Sequence, residues 1–367
     1  MIRLSKSDIS KRERVSVENV LKKGYLGMGP EVISFEKELK KFFKNQVDIA
    51  CVNTGTSALQ LALQAAGIGR GDSVIVPTTT YVASFQAITA TGAKPIPCDI
   101  DKKTGWIDIH QIEKHIRKNT KAIMPVHFAS FIGDIESIYA IAKKYKLRVI
   151  EDAAHAFGNL YKSKIYGLEG DIICFSFDGI KNITCGEGGA IVSKDKEIIE
   201  KIRNLRLLGI QKDTTLRVKK QRSWDFDVKD QGWRYHMSDI FAAIGRVQLS
   251  RIEEFRIKRN YIVNKYKTLL KNNKNISFLD IDYTGLVPHI FPVLVKKRNK
   301  LRTYLKEHLI ETGLHYKPNH LLTFFREKRN KFPVSEFFFK NLITLPLHTK
   351  ITYNQIKHIC TKINEFY

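Results

Sequence analysis

Cysteine is scarce in this 367-residue chain: Cys51, Cys98, Cys174, Cys185 and Cys360 stand singly, with no C-x-x-C pair. Several of them fall inside apolar runs. That spacing argues against a disulfide framework or a zinc module and predicts buried free thiols with no metal site. Long apolar runs are missing as well, so no stretch reaches the length that spans a bilayer. The opening Met1-Ile2-Arg3-Leu4-Ser5-Lys6 leads into polar sequence rather than a signal-peptide core. A cytoplasmic location without membrane attachment is expected. Acidic residues are short too, 37 Asp and Glu against 62 Lys and Arg, for a net charge of +25. Such an excess invites a nucleic-acid partner. It is spread, however, over helix faces such as Lys143-Lys144-Tyr145-Lys146 and the run Lys296-Lys297-Arg298. There is no basic tail, no zinc-finger spacing and no aromatic-studded basic sheet. The charge is expected to serve solubility and the attraction of an anionic substrate, not specific nucleic-acid binding. Internal repeats and low-complexity segments are absent.

What is present is alternation. A helix is expected from about Ser7 to Lys23. A Gly-punctuated turn follows, Gly24-Tyr25-Leu26-Gly27-Met28-Gly29-Pro30, with Pro30 placed to open the next helix. This turn suits either a plain connector or the lining of a site that uses Tyr25. From Ile49 onward, short strands and amphipathic helices alternate as far as Val192, which predicts an α/β fold with a mostly parallel sheet flanked by helices. A polar stretch from Gln211 to Gln231 reads as a long loop. The chain length suits a large unit over 1–245, with an N-terminal helical arm, and a smaller α/β unit over 246–367. One long helix near Arg246 is expected to join them. Ligands on such sheets sit beyond the carboxyl ends of the strands.

The chemistry concentrates between Glu151 and Ala190. One apolar run ends in Glu151-Asp152, followed by Ala153-Ala154-His155-Ala156-Phe157-Gly158. A second, Ile172 to Phe177, runs into Asp178-Gly179-Ile180-Lys181 and the cluster Gly186-Glu187-Gly188-Gly189. One strand end carrying Asp and another carrying Ser176 and Lys181 suit pyridoxal 5'-phosphate (PLP). There a lysine forms a Schiff base and an acid partners the pyridine nitrogen. Gly55-Thr56-Ser57 opens a helix directly after a strand, where free N–H groups favour an anion. The same residues also read as a simple N-cap. Tyr81 reads as a core residue or as a ring face for a flat cofactor, and His155 can be read as a satisfied core histidine.

Taken together the motifs resemble the DegT/DnrJ/EryC1/StrS family of PLP-dependent nucleotide-sugar aminotransferases, of fold type I. The likeness runs from the Gly24–Pro30 turn through Asn53-Thr54-Gly55-Thr56-Ser57, Gly67-Ile68-Gly69-Arg70-Gly71-Asp72, Pro125-Val126-His127 and the two central motifs. It continues through Gln248-Leu249 and His315-Tyr316-Lys317-Pro318-Asn319-His320 to Leu345-Pro346-Leu347-His348. The resemblance implies that Lys181 is the Schiff-base lysine and that Asp152 meets the pyridine nitrogen. It places His155 near the ring hydroxyl, Tyr81 on the ring face, and Ser176 with Gly55, Thr56 and Ser57 at the phosphate. His315, Tyr316 and His320 would line the sugar pocket, although a His- and Pro-rich connection needs no function.

Two departures stand out. Where the family usually reads Gly-Tyr-Asn-Tyr-Arg-Met, this chain has Gly232-Trp233-Arg234-Tyr235-His236-Met237. Arg234 thus stands where the family's Asn reaches the cofactor phosphate of a neighbouring subunit. The family's Arg-x-His-Gly becomes Arg206-Leu207-Leu208-Gly209. The implied activity is amino transfer from an amino acid, with glutamate the expected donor, to a nucleotide-linked keto-sugar, with pyridoxamine 5'-phosphate as the intermediate form. Homodimers with shared sites and products for surface polysaccharide are implied too. Tyr235-His236-Met237 leans toward 4-amination of a 4-keto-6-deoxy sugar. A sugar dehydratase of the same fold is disfavoured, because that branch replaces the lysine with histidine. A basic regulatory protein that has kept the fold is disfavoured by the complete cofactor constellation.

Overall fold

The computed structural model describes residues 1–210, 226–326 and 331–367. Most of the stretch expected as a long polar loop, 211–225, lies outside them. Strands β1 (Asp48–Val52), β2 (Ser73–Pro77), β3 (Lys94–Cys98), β4 (Thr120–Ile123) and β5 (Arg148–Asp152) come first. A small hairpin follows, β6 (Leu160–Tyr161) with β7 (Lys164–Ile165), and then β8 (Ile172–Ser176) and β9 (Gly189–Ser193). The main sheet has seven strands in the order β1-β9-β8-β5-β4-β2-β3. The pairings from β3 across to β8 are parallel. β9 runs against both of its neighbours, since no helix intervenes after β8 to return the chain. The expected mostly parallel α/β sheet is therefore what the chain forms.

Both faces of this sheet are covered, so its strands are apolar throughout rather than alternating. Along β8, Ile172 and Cys174 join the layer that includes the helices Gly55–Ala65, Val82–Ala90 and Lys196–Leu205. Ile173 and Phe175 join the opposite layer with Pro30–Phe42 and Ile135–Tyr145. All five cysteines are buried free thiols. No helix among the described residues is long and apolar enough to cross a membrane.

A second, three-stranded antiparallel sheet joins β10 (Ile276–Phe278), β11 (Phe291–Val295) and β12 (Leu342–Leu345). It shares an apolar cluster with the helices Ile252–Leu270, Arg298–Glu307 and Tyr353–Phe366.

Two local expectations are corrected. The first helix begins at Lys11 rather than near Ser7, because Ser10 caps it and forms a capping box with Glu13. The single long helix expected around Arg246 is two helices, Asp239–Leu249 and Ile252–Leu270, broken at Ser250-Arg251. The break turns Arg251 inward. Its guanidinium, 8% exposed, binds Glu13 at 2.7 Å, Asp8 at 3.1 Å and Glu254 at 3.2 Å. The N-terminal arm is thereby tied to the joint between the two helices.

Burial pushes the Asp8 and Glu13 carboxyls up. Hydrogen bonds from Lys350, Thr349 and Arg251 to Asp8, and from Ser10 and Arg251 to Glu13, outweigh it and bring both down to about 2. Carboxyls held below their unfolded range stabilise the fold above that range and lose the contribution as pH falls through the folded value. Urea-melt stability is therefore expected to drop between about pH 4.5 and 2. Arg251→Met leaves the buried Glu13 carboxylate without its cation and Asp8 with Lys350 alone, so it is expected to cost about 3–5 kcal/mol at pH 7. The variant should also lose less than the parent on acidification.

Candidate active site

The strand ends define the site. Asp152 pairs with Cys174 across β5 and β8, and Ser176 lies two residues further along at the end of β8. Gly189 pairs with both Ser176 and Val52, which brings the end of β1 alongside. Period-two alternation separates the adjacent acids. Glu151 binds His127 Nε2 and the Tyr139 hydroxyl, each at 2.7 Å, and also the Tyr166 hydroxyl. Asp152 lines a cavity of about 470 Å³ together with Gly55, Thr56, Tyr81, His155, Ser176 and Lys181.

The Asp152 carboxylate is 5% exposed. It accepts from Ser84 Oγ at 2.7 Å and from the Ala154 N–H at 3.2 Å. Thr80 Oγ1 lies 2.9 Å from Ser84 Oγ. Ser84 gives its proton to Asp152, so Thr80 donates to Ser84 and the acid is held by a short relay. Lys181 enters from the loop after β8, its turn closed by its own N–H donating to the Asp178 carbonyl at 3.1 Å. Desolvation lowers the pKa of its amine, while the charges of Asp152 and Asp178 oppose the shift. A desolvated amine whose pKa is lowered from the ordinary lysine value is what nucleophilic and proton-carrying lysines share.

The N-cap reading of this helix start is the one the hydrogen bonds display. Thr54 caps the helix, accepting from the Ser57 N–H at 3.0 Å. The Ser57 hydroxyl is committed to Asn53 and to the Thr54 carbonyl, at 2.7 and 2.8 Å. Ser57 shapes the turn, while Gly55 and Thr56 face the cavity. A Cβ at Gly55 would lie 2.7 Å from Ser176 Cβ and 2.9 Å from its Oγ. Only glycine fits there. The backbone at this helix start is left open beside a serine hydroxyl, which matches the needs of a phosphate. With the acid and the desolvated amine in the same cavity, the residues present fit PLP.

His155 is buried, and Tyr316 Oη lies 3.2 Å from its Nε2. Burial, then the charge of Lys181, holds its imidazolium form well below the ordinary range. Tyr81 is 58% exposed at the mouth, 5.7 Å from the Tyr316 ring. His315 also lines the cavity, anchored to Thr344 Oγ1 at 2.9 Å. Burial and the Lys181 charge bring its pKa down to about 4.

Four expected site residues do not line this chain's cavity: Ser57, which shapes the turn, and His320, Tyr25 and Arg234. His320 Nδ1 binds Thr78 Oγ1 at 2.8 Å, behind the turn that leads to Tyr81. Tyr25 donates to the Met28 carbonyl at 3.1 Å and packs against Gly29. Arg234 is exposed, on a segment bridged to Leu207. Leu208, at the position of the family's histidine, is exposed as well. Conversely, sequence reasoning missed Thr80, Ser84, Asp178 and His289 as residues of this region. Asp178 stood in the quoted run between Ser176 and Lys181, and nothing in the local pattern flagged Thr80, Ser84 or His289.

Comparison with known proteins gives the family. The profile of the DegT/DnrJ/EryC1/StrS aminotransferase family matches residues 7–364. GDP-perosamine synthase of Escherichia coli O157:H7 is 38% identical over 348 residues, covering 92% of this chain and 91% of that one. The spore coat polysaccharide biosynthesis protein SpsC of Bacillus subtilis is 34% identical, covering 97% and 95%. Among solved structures, the sugar aminotransferase assigned as Spr1654 of Streptococcus pneumoniae, in its PMP form, superposes with a TM-score of 0.92 at 30% identity. That match covers 100% of this chain and 98% of the other. The chain belongs to the DegT/DnrJ/EryC1/StrS family and is a PLP-dependent sugar aminotransferase of fold type I.

Proposed function

We propose that this protein moves an amino group from an amino acid, glutamate by family analogy, to a nucleotide-linked 4-keto-6-deoxy sugar, in two half-reactions at one cavity. The observation that carries the reading is the desolvated Lys181 amine in one cavity with Asp152 and the Gly55–Ser176 wall. When bound, PLP supplies an electron-accepting ring and a carbonyl that condenses with amines. Asp152, oriented by Ser84, keeps a positive charge on the ring nitrogen. Ser176, Gly55 and Thr56 hold the phosphate, with Ser57 shaping the turn. Tyr81 covers the ring face, and His155 lies by the ring hydroxyl. Lys181 carries the proton to and from the substrate carbon. His315 and Tyr316 meet the sugar, and His320 supports the wall behind them through Thr78.

In this reading residues 1–245 form the cofactor-binding unit and 246–367 the smaller one. The protein works in the cytoplasm as a homodimer, supplying an aminated sugar for surface polysaccharide. GDP-perosamine synthase, a relative by sequence, favours a GDP-linked acceptor among the candidates. The test is mass detection of aminated product from a panel of keto-sugar nucleotides with glutamate. Absence of product across the panel would sink the reading.

The homodimer gives exposed Arg234 and Tyr25 their roles, at the partner's site. Arg234→Ala is expected to weaken PLP affinity about 10- to 100-fold, the loss of one charge-assisted phosphate contact. A titration of the apoprotein with PLP that gives parental affinity would remove Arg234 from the site.

A further inference from the structure

His155 is gripped by a second histidine that no sequence motif announces. The His289 ring lies with its centroid 4.2 Å from that of His155, tilted by 50°. His289 is 4% exposed and lines the same cavity. Its backbone is fixed on both sides: the N–H donates to Ser130 Oγ at 2.9 Å, and the carbonyl accepts from Arg259 Nη1 at 3.3 Å.

Ser130 is the hinge of this arrangement. Ala129 and Ser130 both adopt left-handed backbone, φ 53° and 70°, although neither is glycine and both are buried. Such a conformation persists only where the surroundings demand it. It places Ser130 Oγ 2.6 Å from the His155 carbonyl and 2.9 Å from the Val287 carbonyl. Val287 O is already served by Asn182 Nδ2 at 2.5 Å. The hydroxyl proton of Ser130 is thus free for His155 O, while its lone pair takes the His289 N–H. Asn159 closes the loop, donating to Ser130 O at 2.7 Å and accepting from the Val287 N–H at 2.8 Å.

We propose that His289 is a positioning residue of this active site, holding the His155 imidazole in one orientation against Tyr316, and that Ser130 sets His289 in register for it. The inference rests on the proposed function only in giving His155 a role beside the cofactor; the contact itself is independent of any activity. Burial keeps the Tyr316 phenol protonated and both imidazoles neutral. A phenol both donates and accepts, so the Tyr316–His155 Nε2 contact is made by either neutral tautomer, and a single ring orientation holds whichever one is present. A flip of the ring would exchange the two nitrogens, and the His289 ring blocks it.

The experiment uses the full chain with ¹⁵N-labelled histidine, first without cofactor. Parent protein should show one tautomer at His155, with the signal assigned by its loss in His155→Gln. His289→Phe keeps a ring but alters the packing. Ser130→Gly removes the hydroxyl at a backbone angle glycine adopts freely. Both variants should shift or average the His155 signal. With PLP and substrates, each should lower kcat at least about tenfold with KM within about twofold, as a misplaced group does. An unchanged His155 signal in a folded variant overturns the proposal, and so does an altered signal with parental kcat. If His289→Phe does not fold, Ser130→Gly decides alone. Failure of the parent to aminate any sugar strikes the proposed function, while the cofactor-free spectra still read the His289–His155 contact.

Discussion

Alanine in place of Lys181 is expected to leave a stable protein whose amino transfer falls by about 10³-fold or more. The fold should tolerate the change, because the amine is desolvated where it sits and removing it relieves that cost. Chemistry should not tolerate it. In the proposed mechanism the variant loses both the amine that links to PLP and the group that carries a proton to the substrate carbon. Absorbance and mass spectra separate these effects: the covalent protein–PLP adduct, trapped by borohydride in the parent, should be missing from the variant. A variant that retains either the adduct or near-parental turnover would remove Lys181 from the mechanism.

Asp152→Asn is the second large effect, with kcat expected to fall about 100- to 1,000-fold. The substitution preserves shape and a hydrogen-bond acceptor for Ser84 but removes the charge that would face the ring nitrogen. A second readout checks the same residue without turnover. The Asp152 carboxylate raises the pKa of the Lys181 amine against the lowering caused by desolvation. Without it the amine should titrate lower still. PLP condensation with the apoprotein needs the neutral amine, so it should persist to more acid pH in the variant. A profile that does not move, or moves the other way, would mean that the two side chains do not sense each other. Ser84→Ala should give a smaller loss of the same kind, since it loosens the acid without discharging it.

Much of this site could be read from the chain because its parts are local. Asp152 and Ser176 end apolar runs, and Lys181 follows five residues after Ser176, so strand periodicity alone delivers them to one edge of the sheet. The helix start at Gly55 is equally local, fixed by Thr54 and Ser57. What escaped is long-range. Ser84 is one polar residue in an otherwise apolar helix face, and its partner lies on a strand far along the chain. The His289 contact depends on Ser130 accepting from a segment that hydrophobic periodicity places in another sheet. The helix break at Arg251 was hidden for the same reason. The apolar pattern continues through it, and the acids that draw the guanidinium inward include Asp8 and Glu13 in the distant N-terminal arm.

The reversed direction of β9 also bears on biosynthesis. β1 stands at the margin of the main sheet with β9 as its ladder partner, and beyond it Val52 and Asn53 bond to the segment Tyr235–His236. Both flanks of this early strand are thus translated long after it. A ribosome-bound chain must keep an apolar strand unpaired until β9 emerges, which makes that interval the stretch of synthesis most in need of a chaperone.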